Sequence, residues 1–83
     1  MSHREYLIVI AHTHQCTRCR ARLLDEPEAA LGGRGLTSDE RSALGGLAVE
    51  HFLTPDSLAR ATGVSLEELE RFGDEPVVRL RHL

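Results

Sequence analysis

The sequence predicts an α+β fold that is mainly helical. Three observations carry that expectation. Glu5-Tyr-Leu-Ile-Val-Ile-Ala11 is a run of β-branched and aromatic residues with no helical spacing of polar positions, which favours a short buried strand. Residues 37–73 are punctuated by helix caps and breakers, namely Thr37, Thr54-Pro55, Gly63, Ser65 and Gly73. The segment Pro76-Val-Val-Arg-Leu-Arg-His-Leu83 alternates in part, with Val78, Leu80 and His82 on one face and Arg79 and Arg81 on the other. It is therefore read as a strand pairing with residues 5–11, in preference to a further helix.

At 83 residues the chain makes one small domain, near the size where a single core barely suffices and a metal, a disulfide or a partner subunit serves as a staple. Its aromatic residues are only Tyr6, Phe52 and Phe72, so the core must come from Leu, Val, Ile and Ala. Residues 1–31 read as the strand plus a helix bearing cysteine and histidine, 32–35 as a flexible glycine-rich joint, and 36–83 as a helical unit with the final strand. The first helix spans Gln15 to Leu24 and stops before Pro27, because the residue preceding a proline is pushed out of the helical region. Gly32-Gly-Arg-Gly35 forms the joint.

Beyond the joint, Thr37 can cap a helix and Glu40 sits three residues on, as in a capping box. That helix is expected over Ser38 to Phe52, with Gly45-Gly46 costing about 1 kcal/mol per glycine relative to alanine. Thr54 caps the next helix, Pro55 takes its first position, and Gly63 ends it. Ser65 caps a third, over Leu66 to Phe72, which Gly73 stops.

Charge is unevenly spread. The net charge is −3 and all ten basic residues are arginine. Residues 1–22 are positive by three, 23–64 negative by four and 65–83 negative by two. This basic head on an acidic body argues against a general nucleic-acid binder. No apolar run reaches the roughly 18–20 residues of a membrane span, and residues 6–11 lack the features of a signal peptide. A cytoplasmic location is expected, where paired cysteines serve more often as ligands or redox groups than as structural disulfides.

Leu36 to Leu44, then Leu53-Thr-Pro-Asp-Ser-Leu-Ala-Arg-Ala-Thr-Gly-Val-Ser65, then Leu69, resembles the helix-turn-helix of phage-type repressors and sigma-factor region four. The resemblance covers residues 36–73. It implies close helix packing at Ala59, a positive-φ turn at Gly63 and a third helix capped by Ser65. In that family the third helix enters the major groove. Here Glu67, Glu68 and Glu70 would face the phosphates and be repelled, so DNA is disfavoured as the partner, and a basic protein surface suits this helix better.

His12-Thr-His14-Gln-Cys16-Thr-Arg-Cys19 places four metal-ligating side chains within eight residues. The pattern His12-x3-Cys16-x2-Cys19 resembles the motif of zinc-associated anti-sigma factors. Thiolates and neutral imidazole complete a zinc tetrahedron without redox activity, so the candidate ligands are His12, His14, Cys16 and Cys19, and the cofactor is zinc. The fourth position is open to His14, to His3 or to a residue of a second chain in a homodimer. His51 reads as a packed helix residue and His82 as a terminal surface one. Arg18, Arg20 and Arg22, with Glu67 and Glu68, are the candidate partner-binding residues.

Paired carboxylates at a cleft, a Ser/His/Asp set or a phosphate-cradling glycine loop cannot be picked out, so an enzyme is not expected. The leading expectation is a bacterial or phage regulatory protein working by protein–protein contact, on a transcription factor or an RNA polymerase subunit, with a structural zinc. One alternative is a dimeric DNA-binding repressor. Another is a thiol redox protein in which Cys16-x-x-Cys19 opens a thioredoxin-type fold.

Overall fold

The computed structural model describes residues 2–83, so residue 1, counted above within the domain, lies outside the described residues. These residues form seven α-helices and one 3-10 turn. The helices are α1 (Ser2–Gln15), α2 (Thr17–Asp25), α3 (Pro27–Leu31), α4 (Ser38–Gly45), α5 (Pro55–Thr62), α6 (Leu66–Gly73) and α7 (Pro76–Leu80), with the 3-10 turn at Val49–Phe52 between α4 and α5. No strand occurs among the described residues, which overturns the α+β expectation.

The stretch read as the first strand lies inside α1. Every residue from Tyr6 to Thr13 is buried, and eight consecutive residues cover all sides of a helix. α1 is therefore the central rod of the molecule, packed against α2, α6 and α7. A helix that is apolar all round is one surrounded by protein, and over a few residues its sequence is indistinguishable from that of a buried strand. Its two buried hydroxyls are both satisfied: the Thr13 hydroxyl donates to the Val9 carbonyl one turn back at 2.8 Å, and the Tyr6 hydroxyl donates across to the Thr62 carbonyl of α5 at 2.5 Å.

The final segment is also helical rather than extended. Pro76 occupies the first turn of α7, where its missing N–H does no harm. Val78 is fully buried whereas Leu80 is 77% exposed, so these two residues do not share a face as a strand would require. The helix expected over Ser38 to Phe52 is likewise broken. α4 stops at Gly45, Gly46 follows as its cap, and the chain re-enters helical geometry only at the 3-10 turn. The low helix propensity of two successive glycines accounts for the break.

The punctuation between residues 37 and 73 behaves as expected. Thr37 and Glu40 form a reciprocal capping box, as do Ser65 and Glu68. Thr54 Oγ1 accepts from the Ser57 amide at 3.1 Å. Gly63 caps α5 in the left-handed conformation, φ 79°, the backbone region that glycine enters without steric cost.

The glycine-rich joint is tied down by its own arginine. The Arg34 guanidinium donates to Glu5 at 3.0 Å, to the Ala30 carbonyl at 3.2 Å and to the His82 carbonyl at 3.2 Å. Glu5 also accepts from Arg81 at 2.6 Å. One half-buried carboxylate thus holds both the joint and the segment after α7 against α1.

Candidate metal centre

The boundary between α1 and α2 is made by Cys16. Its backbone is extended (φ −108°, ψ 107°), and its side chain caps α2 by accepting from the Cys19 amide. That places Cys16 Sγ beside the first turn of α2, where Cys19 points inward and is buried. His12 lies one turn before Cys16, in the last turn of α1, and is 2% exposed. His82, 70 positions away, reaches the same spot from the segment after α7.

The donor atoms of His12, Cys16, Cys19 and His82 all lie within 4.8 Å of one another. His12 Nε2 is 3.1 Å from His82 Nδ1 and 3.2 Å from Cys19 Sγ, and Cys19 Sγ is 3.5 Å from His82 Nδ1. A tetrahedral zinc ion, with bonds of about 2.0–2.1 Å to nitrogen and about 2.3 Å to sulfur, would set nitrogens about 3.4 Å apart and a nitrogen and sulfur about 3.5 Å apart. The three spacings among His12, Cys19 and His82 match those edges to within a few tenths of an ångström, and Cys16 Sγ completes the set within the 4.8 Å span. The two imidazoles meet edge to face, with interplanar angle 88°, so both lone pairs can point at a common centre.

The surrounding hydrogen bonds prepare each donor. His12 Nδ1 lies 2.5 Å from the Val78 carbonyl. A carbonyl only accepts, so Nδ1 carries the proton and Nε2 is left with its lone pair facing the cluster. The Cys19 amide donates to Cys16 Sγ at 3.5 Å, and the Leu83 amide donates to Cys19 Sγ at 3.5 Å. Backbone donation from Cys19 holds the Cys16 thiol below its ordinary pKa, whereas burial pushes the Cys19 thiol up. Burial also lowers the pKa of His12, keeping the ring neutral as a ligand must be. A bound dication would reverse the shift at Cys19, because it supplies the charge that a buried thiolate lacks. Four convergent soft and borderline donors with no carboxylate among them can hold a metal ion.

Of the residues expected from sequence, His12, Cys16 and Cys19 come together, and His14 does not join them. His14 instead lines a cavity of about 380 Å³ with Gln15, Pro55, Leu69 and Glu70. His3 lies against Glu68, 3.4 Å away on the surface. His82 takes the fourth place; it is exposed, as the sequence suggests, but its approach to the cluster was not expected. Nothing in the local pattern around His82 marks it as a ligand; the only signal is a surplus of histidine, five in 83 residues.

The partner-binding candidates divide in the same way. Arg20 is engaged internally, donating to the carbonyls of Thr13 at 3.1 Å and His14 at 2.7 Å and lying 5.1 Å over the Phe52 ring. It satisfies the last carbonyls of α1, a favoured position for a cation. Arg18 and Arg22 are exposed. Glu67 pairs with Arg71 one turn along, and Glu68 completes the α6 capping box.

Compared with protein-family models, curated proteins and solved structures, the chain shows no match. What the fold and the site define is therefore a class: a small helical domain with a Cys2His2 donor cluster joining α1, α2 and the segment after α7. No helix among the described residues is long and apolar enough to cross a membrane.

Proposed function

We propose that this chain is a small regulatory protein that acts through protein–protein contact, with a structural zinc ion holding its helices together. The observation that carries the zinc is the convergence of His12, Cys16, Cys19 and His82 within 4.8 Å. Two thiolates neutralise a dication, and two neutral imidazoles complete a tetrahedron, the preferred structural zinc set. Calcium and magnesium prefer oxygen ligands, which this set lacks. Four protein donors leave no open coordination position, so the ion serves the fold.

Support for a contact function comes from the surface. Val49 and Leu53 are 64% and 78% exposed at the two ends of the 3-10 turn, and residues 1–22 carry an excess of positive charge on an otherwise acidic chain. What supports a transcriptional partner is the resemblance of the His12-x3-Cys16-x2-Cys19 motif to zinc-associated anti-sigma factors.

Native mass spectrometry of protein purified without chelator tests the first half. One zinc per chain is expected, lost with folded structure when a chelator is added; a metal-free folded chain refutes it. Binding to purified sigma factors and core RNA polymerase tests the second half. No association with either refutes the transcriptional partner and leaves the zinc reading standing.

A further inference from the structure

Beside the donor cluster lies an open pocket of about 510 Å³, lined by Arg18, Cys19, Arg22, Glu26, His82 and Leu83. Its volume falls within the range of ordinary ligand sites. Arg18 and Arg22 stand one helical turn apart on α2, so their guanidiniums share one face. Most other arginines are committed: Arg4 to the Phe72 ring, Arg20 to backbone carbonyls, Arg34 and Arg81 to Glu5, and Arg60 and Arg71 to acids one turn away. Among the described residues, the side chains of Arg18 and Arg22 enter neither a hydrogen bond nor an ion pair.

Two thiolates cancel the charge of a zinc dication, so a filled centre would leave these two cations uncompensated. Glu26 supplies one negative charge at the far end of the Arg18–Arg22 stripe. The wall of the pocket is thus positive, on a chain whose net charge is −3. A polyanion such as a nucleic acid would meet the acidic body as well as this wall and be repelled by most of the surface. A short segment carrying a few carboxylates meets only the wall. Guanidinium and carboxylate match in a planar, two-bond geometry.

We infer that this pocket is the docking point for an acidic segment of a protein partner, whose carboxylates pair with Arg18 and Arg22. The inference rests on the protein-contact reading above and gives that contact a place and a chemistry. Arg20, between them in sequence, takes no part, because its guanidinium is turned back onto α1.

The test uses the full, metal-loaded, isotope-labelled chain at fixed ionic strength, titrated with a capped hexaglutamate peptide. Parallel titrations use inorganic phosphate and a single-stranded oligonucleotide. Hexaglutamate is expected to give saturable amide shifts at residues 18–22 and at Leu83. Its affinity should fall about tenfold in the Arg18→Gln/Arg22→Gln variant and stay unchanged in Arg79→Gln, which removes another unpaired arginine. Both arginines are exposed, and circular dichroism establishes that the double variant is folded. The inference is overturned by absence of a saturable shift, by equal weakening in Arg79→Gln, or by saturation with phosphate or oligonucleotide but not with hexaglutamate. Metal content measured on the same samples separates two failures. A zinc-loaded chain that ignores the peptide refutes the pocket alone, whereas a chain without zinc refutes the zinc reading, and the pocket is then judged by the same titration.

Discussion

Replacing His82 by alanine should weaken zinc binding severely, and replacing His14 should not. The structure sets the size of the effect. Structural zinc sites in small domains bind with about 10–16 kcal/mol near pH 7, so an equal quarter share per ligand is roughly 2.5–4 kcal/mol. A water molecule can enter the vacated corner and recover part of this, leaving roughly 2–3 kcal/mol, or about 30- to 150-fold in Kd. The loss should act through the ion rather than through packing, since His82 is exposed and surface substitutions by themselves usually stay within about 0.5 kcal/mol. His14 makes no approach to the cluster, so His14→Ala should leave zinc affinity within about twofold, the scatter expected of a surface change. Competition against a chromophoric zinc chelator measures both constants. Cobalt substitution adds a second readout, because the tetrahedral ligand-field bands of wild type should give way to a weaker, shifted spectrum in His82→Ala. Equal affinity of His82→Ala and wild type, or equal losses in both variants, would refute the assignment of the fourth ligand.

Three further outcomes follow from the packing. Leu58 is fully buried, and Leu58→Ala should cost about 2–5 kcal/mol, read as a lower urea midpoint with an unchanged slope; a loss below about 1 kcal/mol would show that α5 is not packed as described. Gly63→Ala should cost about 1 kcal/mol, because φ is 79° there and a side chain strains that conformation; a neutral or stabilising result counts against the left-handed cap. Burial, aided by Glu40, raises the pKa of Tyr6 above its ordinary 10.0. A raised folded value means that its contribution is fully present below the unfolded pKa and is lost as pH rises through the folded one. Tyr6→Phe should therefore lose about 1 kcal/mol at neutral pH, where the Thr62 carbonyl forfeits its donor, and show a shallower alkaline decline. Urea titrations across the alkaline range check this, and parallel declines in the two proteins would sink it.

The parts of the fold legible in the sequence were those decided by neighbouring residues. Thr37 with Glu40, Thr54 with Pro55, Gly63 and Ser65 each act within one turn of chain, and each does in the structure what its side chain or φ preference dictates. The class of the fold was decided elsewhere. Whether Tyr6–Ala11 is a strand or a helix depends on what encloses it, and α2, α6 and α7 together enclose all its faces. No local pattern announces that. The candidate site divides in the same way. His12, Cys16 and Cys19 are spaced by the geometry of a helix end and were readable as a set. His82 joins them only because α7 packs against α1 and its Val78 carbonyl receives His12 Nδ1, a relation between residues 66 positions apart. His14 was favoured by nearness in sequence, yet one ring on a helix cannot face both the α6 side and the α2 side.

The position of His82 also orders events in time. Synthesis runs from the N-terminal side, so α1, the most enclosed helix, emerges before the helices that cover it. Two of these, α6 and α7, are the last of the described helices in chain order, and His82 follows them. His12, Cys16 and Cys19 thus stand as a three-donor fragment on an uncovered apolar helix until residues 66–82 have been made. A cell must either shield that helix or let the fragment wait, and the ion is captured at full strength only once His82 has emerged. In such a protein the capture of the metal and the covering of α1 are the same checkpoint.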